Sequence, residues 1–174
     1  MRPPLFPTVA ALAAATLCAG TAVAQAQPDK ISDGIVKIGM LTDMTGVYAD
    51  IVGPGAVIAA KMAIADFGGK VLGKPIELVV ADTQNKADIT AAKAREWFDT
   101  QKVDMLGDVA ATAPALAALQ VAKQKNKIAL FPSAASSRLS NEDCSAISVH
   151  WTYDTYALAA GTGRGVVKSG GDSW

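Results

Sequence analysis

The sequence predicts an α/β fold, a parallel sheet with helices on both faces, and three observations carry that prediction. Short runs that are apolar almost without interruption, such as "VKIGMLT" and "IELVVA", recur along the chain. Strands of this kind are buried on both sides. Between them lie stretches of ten or more residues with apolar positions at helical spacing. The two types alternate, as βαβ units do and hairpins do not.

The elements follow in order. Val36–Thr42 is the first strand. Gly55–Phe67 is a helix, with Val57, Ala60, Ile64 and Phe67 at helical spacing and Gly68-Gly69 as its stop. Ile76–Ala81 is the second strand, closed by Asp82. Asn85 fits as the N-cap of a helix over Ala87–Thr100, with Asp88 near its positive end. Its apolar face holds Ala91, Ala94, Trp97 and Phe98. Val103–Leu106 is the third strand. Thr112 as N-cap and Pro114 in the first turn start a helix that reaches Lys125. Ile128–Phe131 is the fourth strand, a polar loop covers Pro132–Asn141, and Ile147–Trp151 is the fifth strand. Asp154 caps a helix through Lys168. Gly170-Gly171 reads as its stop and Trp174 as the start of a further strand, so the chain is expected to be the N-terminal part of a longer protein.

Residues 1–26 read as a signal peptide. Arg2 precedes the apolar run "VAALAAATLCAGTAVA", and Ala24 and Ala26 fit a small-x-small cleavage site. Leu17 before Cys18 speaks against a lipidated cysteine. Removal of this segment takes away one arginine and no acid, leaving a nearly neutral chain with one more acid than base. Nothing in that balance suggests an electrostatic nucleic-acid surface. No later run is long enough to span a bilayer. The remaining chain, about 148 residues, is enough for one domain. It keeps a single cysteine, Cys144, with no C-x-x-C partner.

In parallel sheets the ligand sits beyond the carboxyl ends of the strands. Four loops meet that rule: Asp43–Gly55, Asp82–Lys86, Gly107–Ala113 and Pro132–Ser140. The first has glycines at 46, 53 and 55, but Ala56-Val57-Ile58 follows, so a G-x-G-x-x-G dinucleotide loop is incomplete. Asp43 and Asp50 would also repel phosphate. The plainer reading is a glycine turn leading into a helix. Asp43, Asp82 and Asp108 all stand at strand ends, where they could hold a hard cation, act in acid–base chemistry, or cap turns. No motif selects the first two. His150, the only histidine, lies on the strand face opposite Ile147, Val149 and Trp151, and reads as a structural residue. No G-x-S-x-G elbow anchors a hydrolase triad. Ala111-Thr112-Ala113-Pro114 places a hydroxyl and amide donors at a helix N-terminus, and Pro132-Ser133-Ala134-Ala135-Ser136-Ser137 adds small residues and hydroxyls next door. Such a pairing suits a carboxylate, although Ser and Thr also favour these positions as ordinary caps.

These residues resemble a known family. "IGMLTDMTG", "GGKVLGKPIELVVADTQNKAD", "KVDMLGDVAAT", "IALFPSAASSRLS" and "VHWTYDTYALA" occur in the order found in the amino-terminal lobe of branched-chain amino acid-type solute-binding proteins. These are periplasmic receptors of ABC importers. The resemblance implies the Rossmann-like type I periplasmic binding fold, with lobe one over 35–153 after a tail at 27–34. Residues 154–174 would then approach the hinge and begin the second lobe. It implies binding without catalysis, no cofactor, no metal, a periplasmic location, an inner-membrane permease as partner, and a monomer when full length. It carries ligand contacts onto Tyr48, Ala111, Thr112, Ala134, Ala135 and Ser136. The chain departs from the pattern where only Thr112 keeps a hydroxyl in Gly107–Thr112, and where Ile51 or Val52 replaces an aromatic. The ligand class therefore widens from amino acids to amides and organic or aromatic acids. Two other readings stand beside this one: a secreted α/β enzyme using Asp43 and Asp108, and the ligand-binding domain of a sensor.

Overall fold

The computed structural model describes residues 33–173. The signal peptide expected at 1–26, most of the tail, and Trp174 lie outside the described residues. Six strands form one sheet in the order β2-β3-β1-β4-β5-β6. They are β1 (Val36–Thr42), β2 (Lys70–Val71), β3 (Lys74–Asp82), β4 (Met105–Gly107), β5 (Ile128–Phe131) and β6 (Ser148–His150). β1 pairs in parallel with β3 over its whole length and with β4 from Ile38 opposite Met105. β5 lies parallel between β4 and β6. Only the short β2 is antiparallel.

The helices are α1 (Gly53–Asp66), α2 (Ala87–Thr100), α3 (Thr112–Lys125), α4 (Thr155–Leu158) and α5 (Arg164–Lys168). Side chains alternate across a strand, so Leu41, Leu106, Ala129 and Phe131 point to one face. There they meet Trp97 and Phe98 of α2 and Ala115, Ala118 and Leu119 of α3 in the main core. Gly39 allows this packing: a Cβ there would stand 2.6 Å from the Trp97 ring. α1 lies against the opposite face, carried by Ile38 and Met40, and buries only Gly53 and Val57.

Several boundaries differ from the sequence expectation, each for a local reason. α1 begins at Gly53, not Gly55, with Pro54 in its first turn, where the missing N–H costs nothing. Asn85 is left-handed at φ 54° and leaves the N-cap position of α2 to Lys86. Ala111 is the N-cap of α3, which makes Thr112 the first helical residue. β4 starts two residues late because Val103 N–H donates to Trp97 at the end of α2. β6 is trimmed to Ser148–His150. The helix from Asp154 to Lys168 is capped as expected, with the Asp154 carboxylate accepting from Ala157 N–H at 2.7 Å. It is broken by a π turn over Ala159–Gly163, where Gly161 and Gly163 weaken the regular helix. None of its residues is buried.

Candidate ligand-binding site

The sheet order reverses at β1, whose neighbours are β3 on one side and β4 on the other. That reversal opens a crevice beyond the carboxyl ends of β1 and β4, where ligands bind in open α/β sheets.

The loop after β1 is built around Asp43, which is 1% exposed. Its Oδ1 accepts from Gly46 N–H at 2.6 Å and its Oδ2 from Tyr48 N–H at 2.9 Å. A Cβ on Gly46 would stand 2.5 Å from Oδ1, so only glycine lets the chain wrap the carboxylate this closely. The Tyr48 carbonyl then accepts from Ile51 and Val52. The loop is thereby folded over towards β4. Asp82 supports it from β3, accepting from Met44 N–H at 3.0 Å, Thr45 Oγ1 at 2.6 Å and Gln84 N–H at 2.8 Å. Burial pushes the Asp82 pKa up, but the Thr45 hydroxyl and the Gln84, Met44 and Thr45 amides outweigh it and hold the carboxyl below its ordinary value.

After β4, Asp108 takes the left-handed conformation at φ 53°. Its Oδ1 accepts from Ser133 Oγ at 2.5 Å, which ties the β4 loop to the β5 loop. Its Oδ2, like Thr42 Oγ1, has no hydrogen-bond partner among the described residues. The chain then enters α3 with an extended Ala111 and no side-chain cap. Thr112 and Ala113 amides have no acceptor within the helix, and Pro114 has no N–H to offer.

These loops enclose a cavity of about 500 Å³. Tyr48, Val52, Ala111, Thr112, Ser133 and Ala135 line it from the strand ends, and Thr152, Tyr153 and Thr155 line it from the segment after β6. Six of the lining side chains carry a hydroxyl and none carries a charge. A second, more apolar groove of about 590 Å³ runs between α1 and the sheet and meets the first at Ile51, Val52, Pro132 and Ser133. The polar cavity is the stronger candidate because it lies at the strand ends and is lined by Ala111 and Thr112 at the start of α3. No group of three or more His, Cys, Asp or Glu with metal-binding spacing occurs among the described residues.

Of the six site residues named from the sequence, Tyr48, Ala111, Thr112 and Ala135 line the cavity. Ala134 and Ser136 stand behind its wall. Ala134 is fully buried and Ser136 is 7% exposed. The Ala134 carbonyl accepts from His150, and that of Ser136 from Leu139 N–H. Sequence reasoning missed Thr152, Tyr153 and Thr155, and it placed Ser133 in the right loop without naming it a contact. The signal was present, because β6 is a fifth parallel strand whose carboxyl end opens on the same edge.

A parallel sheet with a hydroxyl-lined, uncharged cleft at its switch point fits the type I periplasmic binding fold. The chain belongs to the periplasmic binding protein family, whose model matches residues 35–174. It is similar to a periplasmic binding protein from Burkholderia mallei, with 55% identity, a TM-score of 0.77, and coverage of 81% of this chain and 38% of that one. It is also similar to a branched-chain amino acid ABC transporter periplasmic ligand-binding protein from Burkholderia xenovorans, with 38% identity, a TM-score of 0.72, and coverage of 78% and 36%. A third likeness, at 28% identity and a TM-score of 0.73, covers 79% of this chain and 37% of an ABC transporter solute-binding protein from Rhodopseudomonas palustris held in complex with 3,4-dihydroxybenzoic acid. The chain thus spans less than two fifths of these relatives. A search of curated proteins gives no match.

Proposed function

We propose that this chain supplies the amino-terminal lobe of an ABC importer's periplasmic receptor, which captures a small carboxylate and delivers it to an inner-membrane permease. The ligand is an amino acid, a related amide, or an organic or aromatic acid. The observation that carries this reading is the unspent N-terminus of α3 in a cleft rich in hydroxyls and free of charged side chains. The Thr112 and Ala113 amides and the Thr112 hydroxyl receive the carboxylate, and the helix dipole favours the negative charge. Ser133, whose proton goes to Asp108, offers the ligand's donor groups an acceptor. Tyr48, Val52 and Tyr153 face the organic part, and the two tyrosines suit a planar or branched group. The relatives bear on the ligand class: one is named for branched-chain amino acids and another holds a dihydroxybenzoic acid. The other half of the cleft comes from a second lobe that closes over the ligand, and the signal peptide at 1–26 exports the protein.

The geometry weighs against Asp43 as a catalytic group. Both Asp43 oxygens are occupied by backbone amides, so this carboxylate is committed to shaping the loop. Native mass spectrometry of the full-length, exported protein tests the proposal. A small carboxylic acid or amide that co-purifies and is returned unchanged is the expected result. Turnover of the bound molecule would overturn it.

A further inference from the structure

His150, the only histidine of the sequence, ends β6 and faces the loop after β5. Its Nε2 lies 2.7 Å from the Ala134 carbonyl oxygen and its Nδ1 lies 2.6 Å from Ser140 Oγ. A carbonyl only accepts, so Nε2 carries a hydrogen and, in the neutral ring, the Ser140 hydroxyl donates to Nδ1. One side chain therefore ties both ends of the segment from Ala134 to Ser140. The backbone completes the attachment: Trp151 N–H donates to the Phe131 carbonyl at 3.0 Å, and Thr155 N–H to the Ala135 carbonyl at 2.8 Å. Between these anchors the loop after β5 carries Ser133 and Ala135 into the cleft, and the segment after β6 carries Thr152 and Tyr153. His150 itself does not line the cleft.

We infer that His150 is a positioning residue of the ligand site. It clamps the loop after β5 onto the segment after β6, so that Ser133, Ala135, Thr152 and Tyr153 present one preformed wall. A wall ordered before binding spares the ligand the entropy of ordering it. The inference rests on the reading of this cleft as the ligand site, and goes beyond it in naming the residue that holds two lining segments in register.

The test uses the full-length, exported protein with His150→Leu and His150→Gln. A glutamine amide nitrogen reaches the place of Nε2 and donates to the Ala134 carbonyl, whereas leucine cannot. Nitrogen-15 NMR of the wild-type imidazole is expected to show the Nε2–H form. In His150→Leu the Thr155 and Leu139 amides are expected to exchange about tenfold faster or more. Affinity for L-leucine or benzoate, whichever the wild type binds more tightly, is expected to fall by about tenfold. His150→Gln should recover most of both effects. Should His150→Leu fail to fold, Ser140→Ala keeps the Ala134 bond, frees the ring, and should show the same changes at smaller size. Unchanged exchange at Thr155 would overturn the clamp. Faster exchange with unchanged affinity, or equal losses in the leucine and glutamine variants, would overturn its role in the site. The exchange measurement needs no ligand, so it decides the clamp even for a wild type that binds neither probe.

Discussion

Gly46 and Asp43 are fitted to each other at atomic contact. The carboxylate sits where a Gly46 side chain would be, 2.5 Å from its Cβ position. The φ of Gly46 is not in the left-handed region, so the demand is for space and not for backbone freedom. Gly46→Ala should therefore destabilise the protein by about 1–3 kcal/mol through overpacking. The same alanine should cost much less in an Asp43→Ala background, and denaturant unfolding of the four proteins in a double-mutant cycle would measure that coupling. Additive effects would show that the two residues do not interact. Asp82 makes a different prediction because its charge is what the loop binds. Its folded pKa is lowered from 3.8 by the hydrogen bonds from Thr45, Gln84 and Met44, which exceed the opposing effect of burial. A depressed carboxyl stabilises the fold above its unfolded pKa, and that stability is lost as pH falls through the folded value. Asp82→Asn should thus melt below the wild type at pH 7, and the gap should close on acidification below 3.8. A gap that stays constant with pH would remove the charge from the account.

At the scale of elements, the close approach of α2 to β1 depends on Gly39. A Cβ there would lie 2.6 Å from two Trp97 ring carbons and 3.1 Å from a Val103 methyl. Trp97 is 3% exposed and cannot swing out of the core. Gly39→Val should lift α2 from the sheet and destabilise by about 3 kcal/mol, read as a lower denaturant midpoint. The same elements show what the sequence made legible. α2, α3, β1 and β5 match the ranges expected from periodicity, because each is a long helix or a strand buried in the sheet. The β2–β3 hairpin was invisible. β2 has two residues, and its turn places Leu72 at φ 50° and Gly73 at φ 77°, where Asn-Gly would have been the readable signal. Caps were misplaced by one residue at α2 and α3, since Asn85 and Thr112 favour several positions near a helix start and only tertiary packing chooses among them. The cleft was half legible. The strand-end rule found the loops that carry Thr112 and Ala135 and the resemblance placed ligand contacts on both, but nothing local told Ala135 from the buried Ala134 beside it, and the strand-end loops named from the sequence do not include the one after β6.

At the scale of the whole molecule, the relatives are more than twice as long as this chain, and under the proposed function it builds one wall of a clamp. In such a molecule binding and stability are linked, since a ligand held by the folded state alone raises stability by about 2.7 kcal/mol at one hundred times its dissociation constant. Thr112 separates the two quantities. It is exposed, gives α3 no side-chain cap, and lines the cavity. Replacing it should leave the ligand-free melting temperature of the full-length protein nearly unchanged. If its hydroxyl receives the ligand carboxylate, Thr112→Val should weaken binding by about 1–3 kcal/mol, because the partner group is left unpaired in a desolvated cleft. The ligand-induced rise in melting temperature at fixed concentration should shrink accordingly, and calorimetry should report the same loss. A full-sized thermal shift in Thr112→Val would place the carboxylate elsewhere in the cleft, with Thr152 as the next hydroxyl to replace. A reduced shift with an unchanged ligand-free melting temperature would assign the start of α3 to recognition and not to the stability of the lobe.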